Sequence, residues 1–477
     1  MLSFSINYVV RLECGRMYNI TITLESSSRI PMYEQLYRYF SEEIQSGRLP
    51  AGTKLPSKRS LCAHLGVSRS TVENSYAILV AEGYVRAEAK RGFYVANLIP
   101  YGAATSPAAA PVNPPLPSEP LVNFSTSIVD TSEFPYASWA KLNKEVIYNS
   151  PELLQRGDRQ GEPALRSALA AFLQEYRGVR CSADQIVVGA GTEYLLELLI
   201  QLFDPETVFA LEDPCYAVTW HSVRNSGRRL RFLPVGEAGI SISQLQQSDA
   251  SVVYITPSHQ FPMGVTMPAV QRSQMLHWAG SAPDRYIIED DYDCEFRYGA
   301  HPIPAMQSMD RNGRVVYIGS FSRSLAPSIR VAYMVLPEAL LERYRALFGH
   351  FSSTVSRYEQ TVLARFLSEG FYERYLRRMC NLYRQRCAHL TERIRSMDDR
   401  ICISGDGGGL HFLLAMPDRS EEELYAQAAD KGIRLHRLSD YAHVFPPRPS
   451  TVVLGYGGVS DDQIEASVEL LRAAWRL

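Results

Sequence analysis

The stretch LPSKRSLCAHLGVSRSTVENSYAILVAEGYV, residues 55–85, contains two helical patterns separated by a short turn signal. SLCAHL predicts a short helix that ends at Gly66, because glycine readily adopts the left-handed conformation that closes helices. In the second pattern Val72, Tyr76, Leu79 and Val80 recur at helical spacing, so their side chains form one apolar face. Two short helices around a tight turn predict a helix-turn-helix.

The amino end of the second helix carries polar residues that the apolar face leaves pointing outward. They are Arg69, Ser70, Thr71, Glu73, Asn74 and Ser75, of which Ser70 and Glu73 have the spacing of a capping box. In a helix-turn-helix this end of the second helix contacts base edges in the major groove of DNA. The DNA-binding candidates in this stretch are Lys58, Arg59, Ser68, Arg69, Ser70, Thr71 and Asn74.

The segments on either side complete the predicted domain. IPMYEQLYRYFSEEIQSG predicts a first helix, and YVRAEAKRGFYVAN predicts a two-stranded wing with Lys90 and Arg91 at its tip, suited to phosphate contact. Residues 28–97 contain ten Lys and Arg against six acidic residues, an excess that favours a polyanion as partner. Helices, turn and wing resemble the GntR family of bacterial regulators, which bind double-stranded operator DNA. The alternative is that these basic residues form only a solvated face.

The remaining sequence divides at a proline-rich segment. Residues 98–123 contain seven prolines and few charges, and we interpret them as a linker between the DNA-binding domain, residues 28–97, and a large domain, residues 124–477. Residues 1–27 form an amino-terminal extension. Within it, residues 1–16 match no pattern, which makes Met17 an alternative to Met1 as the translation start.

Overall composition is that of an ordinary soluble protein. Hydrophobic residues make up 46% of the chain and charged residues 21%, and no apolar run reaches the roughly 18 residues that a membrane-spanning helix needs. The eight cysteines include no C-x-x-C pair, which argues against disulfide or zinc use. We therefore expect a cytoplasmic protein without a metal site.

The large domain alternates short apolar runs with helix-like stretches. The runs are QIVVGA, TVFALED, SVVYITP, RYIIEDD and RVVYIGS. Buried strands that alternate with helices predict an α/β fold with a mainly parallel sheet. In such folds ligands bind at the carboxyl ends of the strands, so the loops after these runs are the place to look for a site.

These loops carry residues suited to a flat, phosphorylated ligand. Gly191, Thr192 and Glu193 begin a helix, where backbone N–H groups favour an anion. Asp290 and Tyr292 lie two residues apart, so both can face one ligand. The other candidates are Tyr216 for stacking on a planar ring, and Ser320, Ser322 and Arg330 as phosphate donors. Pyridoxal phosphate has a phosphate, a ring nitrogen and a phenolic oxygen that would satisfy this set.

Several stretches of the large domain resemble the fold-type I aminotransferase domain of MocR-type regulators, a GntR subfamily. They are GDRQGEPALRSALAAFL, EDPCY, TPSHQFPMG, EDDYDCEFRY and SFSRSLAPSIRVAYM. The resemblance covers nearly the whole chain. It implies a transcription regulator whose large domain is a homodimer, senses a small-molecule effector and holds pyridoxal phosphate as a Schiff base on a lysine of the serine-rich loop.

Arg323 stands where the resemblance leads us to expect that lysine. A guanidinium has a pKa above about 12 and no free lone pair with which to attack an aldehyde, so no Schiff base can form there. The chain has only six lysines, none of them between residues 145 and 430, and we expect none to act as a substitute. We therefore predict that the site, with Arg323 among its residues, binds pyridoxal phosphate or a related ligand non-covalently and without catalysis.

Two other functions remain open at this stage. The protein could be a working pyridoxal-phosphate-dependent aminotransferase that carries a DNA-binding domain, although Arg323 counts against it. It could also be a ligand-independent repressor whose large domain is only a scaffold for dimerisation. Near the carboxyl end, STVVLGYGGVS contains no arginine that could clamp a carboxylate, so we expect weak or absent amino-acid binding through that strand.

Overall fold

The computed structural model describes residues 4–11, 17–25, 28–98, 120–298 and 303–477. The chain divides into two compact units, residues 1–117 and 118–477, which we call the small and the large unit. Most of the predicted linker, residues 99–119, lies outside the described residues, as does part of the predicted extension. Within the described part of the chain no helix is both long enough and apolar enough to cross a membrane.

The described part of the small unit contains two hairpins and three helices. In chain order these are β1 (Phe4–Arg11) paired with β2 (Met17–Leu24), α1 (Met32–Gln45), α2 (Lys58–Leu65), α3 (Arg69–Ala81), and β3 (Val85–Glu88) paired with β4 (Gly92–Val95). Phe40 of α1, Leu61 of α2 and Tyr76 of α3 are fully buried in one apolar cluster. The predicted helix-turn-helix and wing are confirmed.

Local hydrogen bonds define the turn between α2 and α3. Gly66 closes α2 with φ +64°, a conformation that glycine adopts without strain. Ser68 then begins α3, and its hydroxyl accepts a hydrogen bond from the Thr71 N–H at 3.2 Å. The expected capping box of Ser70 and Glu73 is therefore wrong. Ser68 has the extended backbone that an N-cap needs, whereas Ser70 already lies inside the helix.

The strands of the large unit form two main sheets. Those described are β5 (Val122–Asn123), β6 (Ile186–Gly189), β7 (Val208–Asp213), β8 (Arg229–Gly236), β9 (Gly239–Ile240), β10 (Val252–Ile255), β11 (Tyr286–Asp290), β12 (Val315–Ser320), β13 (Ala332–Val335), β14 (Cys402–Ser404), β15 (His411–Ala415), β16 (Ile433–Arg434), β17 (His436–Arg437) and β18 (Thr451–Gly455). Because β5 pairs with β16, the backbone pairing of this unit begins before residue 124.

The larger sheet has the strand order β6-β13-β12-β11-β10-β7-β8-β9. From β12 to β8 every neighbouring pair is parallel, whereas β13, β6 and β9 join antiparallel. All five apolar runs picked out in the sequence are strands of this sheet, so the expected mainly parallel α/β architecture is confirmed. A second, antiparallel sheet has the order β14-β15-β18-β17.

Helices cover both faces of the larger sheet. The described helices are α4 (Tyr136–Asn149), α5 (Pro163–Arg177), α6 (Thr192–Gln201), α7 (Ala217–Asn225), α8 (Ile242–Gln247), α9 (Ala269–Gly280), α10 (Glu338–Phe348), α11 (Arg357–Ser368), α12 (Phe371–Arg395), α13 (Glu421–Asp430) and α14 (Ile464–Trp475). Leu199 of α6 and Leu341 of α10 pack on one face, and Met275 and Trp278 of α9 pack on the other. With both faces covered, the carboxyl edge of the parallel strands is the accessible place for a ligand.

Candidate functional site

A cavity of about 210 Å³ lies at the carboxyl ends of β7, β10, β11 and β12. Nine of the ten residues that the sequence picked out for a cofactor line it: Thr192, Glu193, Tyr216, Asp290, Tyr292, Ser320, Ser322, Arg323 and Arg330. The tenth, Gly191, is the N-cap of α6 beside them. The structure thus brings together residues that span 140 positions of sequence, because parallel strands end at the same edge of the sheet.

One end of the cavity is suited to an anion. Helix α6 begins at Thr192 without a side-chain cap, which leaves its first backbone N–H groups available at the positive end of the helix. Gly191 has φ +99°, and a Cβ there would lie only 2.3 Å from Arg330 Nη2. A larger residue would displace the Arg330 guanidinium, which donates to Glu193 Oε2 at 2.7 Å.

The floor of the cavity holds Asp290, the last residue of β11. The Tyr254 hydroxyl donates a hydrogen bond to Asp290 Oδ2. Burial raises the pKa of Asp290 to about 7, and this hydrogen bond only partly opposes the effect. Asp290 can therefore accept a proton or share one with a ring nitrogen near neutral pH.

Behind Tyr292 lies a buried polar network of His259, Asp293 and His411. His259 Nδ1 is 2.9 Å from Asp293 Oδ2 and 3.0 Å from the Tyr292 hydroxyl oxygen. Burial lowers the pKa of His259, but the Asp293 carboxylate outweighs it and the net shift is upward. One potential ligand atom from each of the three residues lies within 4.8 Å of the others, so they could approach a metal ion. Their existing hydrogen bonds, including His411 Nε2 to the Pro262 carbonyl at 3.0 Å, indicate instead a network that positions Tyr292.

Glu212 and Tyr254 are among the cavity residues that sequence reasoning missed. Glu212 lies in β7, and its Oε2 accepts from Thr256 Oγ1 at 2.7 Å, while its buried Oε1 has no hydrogen-bond partner among the described residues. Burial raises the pKa of Glu212 to about 7, with its hydrogen bonds from Thr256 and Gln260 acting in the opposite direction. The only signal in the sequence was an acidic residue at the end of an apolar run, as for Asp290.

Arg323 lies at the cavity wall, half-buried, in the loop after β12. Its Nη1 donates to the backbone carbonyl of Thr126, and it forms no ion pair with any residue in the described ranges. Burial raises the pKa of Tyr292 well above its usual value, and the positive charge of Arg323 partly opposes this shift. The guanidinium charge is therefore felt inside the cavity. The lysines of the large unit, Lys141, Lys144 and Lys431, are all described, exposed and absent from the cavity lining.

The DNA-binding candidates lie on α2, on α3 and its N-cap, and at the turn of the β3–β4 hairpin. Lys58 and Thr71 are half-buried, and the exposed candidates are Arg59, Ser68, Arg69, Ser70, Asn74, Lys90 and Arg91. Ser75, which we expected to point outward, is completely buried. The correction has a simple cause, because Ser75 lies three residues after Val72 and one before Tyr76, within the arc of α3 that faces the core.

Acidic residues partly compensate the cations of this surface. Glu73 Oε1 lies 3.0 Å from Arg69 Nε and 3.8 Å from Lys58 Nζ. At the turn of the hairpin, Lys90 has φ +62° and both Lys90 and Arg91 are exposed. Exposed cations at the amino end of a helix and on a hairpin turn can reach phosphates on both sides of a groove.

Comparison with known proteins supports both halves of this description. The aminotransferase class I and II family model matches residues 119–469, and the model for bacterial regulatory proteins of the gntR family matches residues 32–95. The HTH-type transcriptional regulator YhdI of Bacillus subtilis is 38% identical over 464 residues, which cover 96% of this chain and 98% of that protein.

A second relative and a solved structure extend the comparison. The probable rhizopine catabolism regulatory protein MocR of Rhizobium meliloti is 32% identical over 475 residues, covering 95% of this chain and 96% of that protein. The kynurenine aminotransferase of Pyrococcus horikoshii superposes on 75% of this chain and 91% of its own length with a TM-score of 0.66, at 22% identity. That likeness shows the fold of the large unit. The chain therefore belongs to the MocR-type transcription regulators of the GntR family, in which a DNA-binding helix-turn-helix is joined to an aminotransferase-like domain.

Proposed function

We propose that this regulator senses pyridoxal phosphate, or a closely related ligand, in the cavity of its large unit without forming a covalent bond and without catalysis. The observation that carries the proposal is that Arg323, at the position where a lysine was expected, lines the same cavity as the other candidate ligand-binding residues. A guanidinium can hold an anion or a carbonyl oxygen, but it cannot attack an aldehyde at neutral pH.

The residues around the cavity fit such a cofactor. Asp290 offers a carboxyl group to a ring nitrogen, and the aromatic ring of Tyr216, which is 45% exposed, is available for stacking. The phosphate would be held by the start of α6 together with Ser320, Ser322 and Arg330. Gly191 has no side chain, which leaves space for the Arg330 guanidinium. When bound, pyridoxal phosphate supplies an electrophilic aldehyde on an electron-withdrawing ring.

Catalysis needs a group that moves the substrate proton beside that ring, and the cavity has no amine for this purpose among its described residues. A guanidinium is a poor proton acceptor, and Nη1 of Arg323 donates a hydrogen bond to the Thr126 carbonyl. Asp290 and Glu212 lie on the floor of the cavity. Their carboxyl groups accept hydrogen bonds from the hydroxyls of Tyr254 and Thr256. The site thus binds and orients a ligand, and we expect no transamination.

The DNA-binding half of the proposal rests on α3 and the β3–β4 hairpin. Arg69, Ser70 and Asn74 would contact base edges, while Lys90 and Arg91 would contact phosphates. A homodimer would present two such surfaces to the two halves of an operator. Ligand binding would change the affinity of these surfaces for DNA.

The decisive experiment is an absorption and fluorescence titration of the full-length protein with pyridoxal phosphate, beside Arg323→Lys. We expect the natural protein to saturate without an adduct that borohydride can trap, and the lysine variant to form one that mass spectrometry locates at position 323. A trapped adduct on the natural protein would contradict non-covalent binding. Absence of binding to both proteins would mean that the cavity serves a different ligand or none.

A further inference from the structure

Arg323 is a permanent charge without an acidic partner at the wall of the cavity. Among the described residues it forms no ion pair, and its one hydrogen bond, from Nη1 to the Thr126 carbonyl, goes to a neutral acceptor. A guanidinium has five N–H donors, so several remain for a ligand. Removing such a cation from bulk water is unfavourable unless an acceptor, preferably an anion, completes its shell.

The other charged groups of the cavity do not compensate Arg323. Arg330, the second cation of the lining, is paired with Glu193 at 2.7 Å. The carboxyl group of Asp290 accepts a hydrogen bond from Tyr254, and that of Glu212 accepts one from Thr256. Burial raises the pKa of both carboxyl groups and so favours their neutral forms. The cavity therefore has an uncompensated positive charge at Arg323, separate from the Arg330–Glu193 pair at the anion end.

The order of the lining residues indicates which part of a ligand would face Arg323. In a pyridoxal-type ring the phosphate arm is next to the 4-substituent, and the ring nitrogen is opposite it. Asp290, Ser320 and Ser322 all line the cavity, and under the proposed function Asp290 would be the partner for the nitrogen while the two serines would hold the phosphate. Ser322 and Arg323 are consecutive in this loop and both line the cavity, so under the proposed function the 4-substituent, next to the phosphate arm, would lie on the side of Arg323.

We propose that Arg323 makes this site selective for the charge of the ligand's 4-substituent: a carboxylate or carbonyl group at that position is bound, and an ammonium group is rejected. The ligand class is a phosphorylated pyridine with an anionic or neutral acceptor at the 4-position. This selectivity rests on the proposed function and goes beyond it, because it states which chemical form of the ligand the regulator responds to.

The test compares three probes that share the ring and the phosphate. They are the 4-carboxylate (4-pyridoxic acid 5′-phosphate), the 4-aldehyde (pyridoxal 5′-phosphate) and the 4-aminomethyl compound (pyridoxamine 5′-phosphate), titrated calorimetrically into the full-length protein. We expect the carboxylate to bind at least about tenfold more tightly than the aminomethyl compound, the size of one charge-assisted hydrogen bond. In Arg323→Gln, which keeps an amide donor but loses the charge, the difference should fall to about threefold or less.

The outcomes separate this inference from the function on which it rests. Equal binding of all three probes to the natural protein would overturn the selectivity and leave non-covalent sensing intact. Binding of none would overturn both. A preference for the carboxylate that Arg323→Gln retains would also overturn it, because the selecting charge would then lie elsewhere. The ranking on the natural protein needs no variant, so a misfolded substitution cannot hide the answer.

Discussion

The two units of this regulator use arginine in opposite ways. On the small unit, the side chains of Arg69 and Arg91 are 81% and 77% exposed, in contact with bulk solvent and with nearby acidic residues. In the large unit, Arg323 is half-buried at a cavity wall beside Asp290 and Tyr292. The guanidinium charge is thus strongly screened by solvent on the small unit and less screened at the half-buried position of Arg323.

This difference predicts different sensitivities. An exposed cation contributes modestly to binding a polyanion and loses its effect as salt screens it. A cation or carboxyl in an enclosed cavity acts on one specific group of one ligand, so its loss is large and salt changes it little. The four predictions below test this contrast, beginning with the largest effect.

Replacing the cavity carboxyl should have the largest effect. Asp290→Asn keeps a partner for the Tyr254 hydroxyl but can no longer share a proton with a ring nitrogen. We expect the affinity for pyridoxal phosphate to fall about 100-fold, since a hydrogen bond in which one partner is charged contributes up to about 3 kcal/mol. Fluorescence titration measures the change. The affinity of ligand-free protein for DNA should stay within about twofold, and unchanged ligand affinity would remove Asp290 from the site.

Removing both wing cations should weaken DNA binding without affecting the cavity. For the double substitution Lys90→Ala and Arg91→Ala we expect about a tenfold loss of affinity for a random-sequence duplex, and a slope of log K against log salt that is smaller by about 1 to 2. Fluorescence anisotropy at several salt concentrations checks both. Arg229→Ala, which removes an exposed arginine of the large unit, is the matched control and should leave the slope unchanged.

The buried carboxyls should give the large unit a characteristic pH dependence. Burial raises the pKa of Asp290 and of Glu212 to about 7, above their values of 3.8 and 4.5 without such burial, so the folded state binds protons more tightly than the unfolded state. Their contribution to stability is therefore fully present below about pH 4 and is lost as the pH rises through about 7.

Chemical denaturation across this range provides the measurement. We expect the free energy of unfolding to decrease with rising pH, by up to about 1.4 kcal/mol per pH unit for each group. Asp290→Asn should flatten the profile while Glu212 retains its part. A profile that is identical for the variant and the natural protein would show that Asp290 does not titrate with a raised pKa.

We expect the smallest effect from replacing Glu73, whose negative charge partly neutralises the cations of the DNA-binding surface. Glu73→Gln removes the partner of Arg69 and Lys58, and we expect about a threefold gain in affinity for random-sequence DNA with a steeper salt dependence. The same anisotropy series measures it. A loss of affinity would show instead that Glu73 orients Arg69 for a specific contact.

Much of the fold and of the cavity was predictable from local signals. Gly66 marks the turn of the helix-turn-helix because it adopts a left-handed conformation that few residues can adopt, whereas the cap of α3 at Ser68 was expected two residues later, at Ser70. Strand runs such as SVVYITP and RYIIEDD identified the sheet because parallel strands are buried on both faces. Asp290 and Arg330 were found because loops after such strands meet at one edge.

Other features escaped because they depend on contacts that are distant in sequence. The hydrogen bond from Arg323 to Thr126 joins residues 197 positions apart, and nothing near either residue predicts it. Ser75 has the composition of a surface residue, yet the angle of α3 against the core buries it. Tyr254 and Glu212 read as ordinary strand residues until the sheet places them beside Asp290.

The sequence by itself determined the helix-turn-helix, the parallel strands and the replacement of an amine by Arg323, because side-chain type and short-range periodicity carry those properties. Only the tertiary structure decided which groups share one enclosed space and what protonation that space favours. Raised pKa values of Asp290 and Glu212 and an unpaired charge on Arg323 arise from burial and from neighbours, and these exist only once the chain has folded.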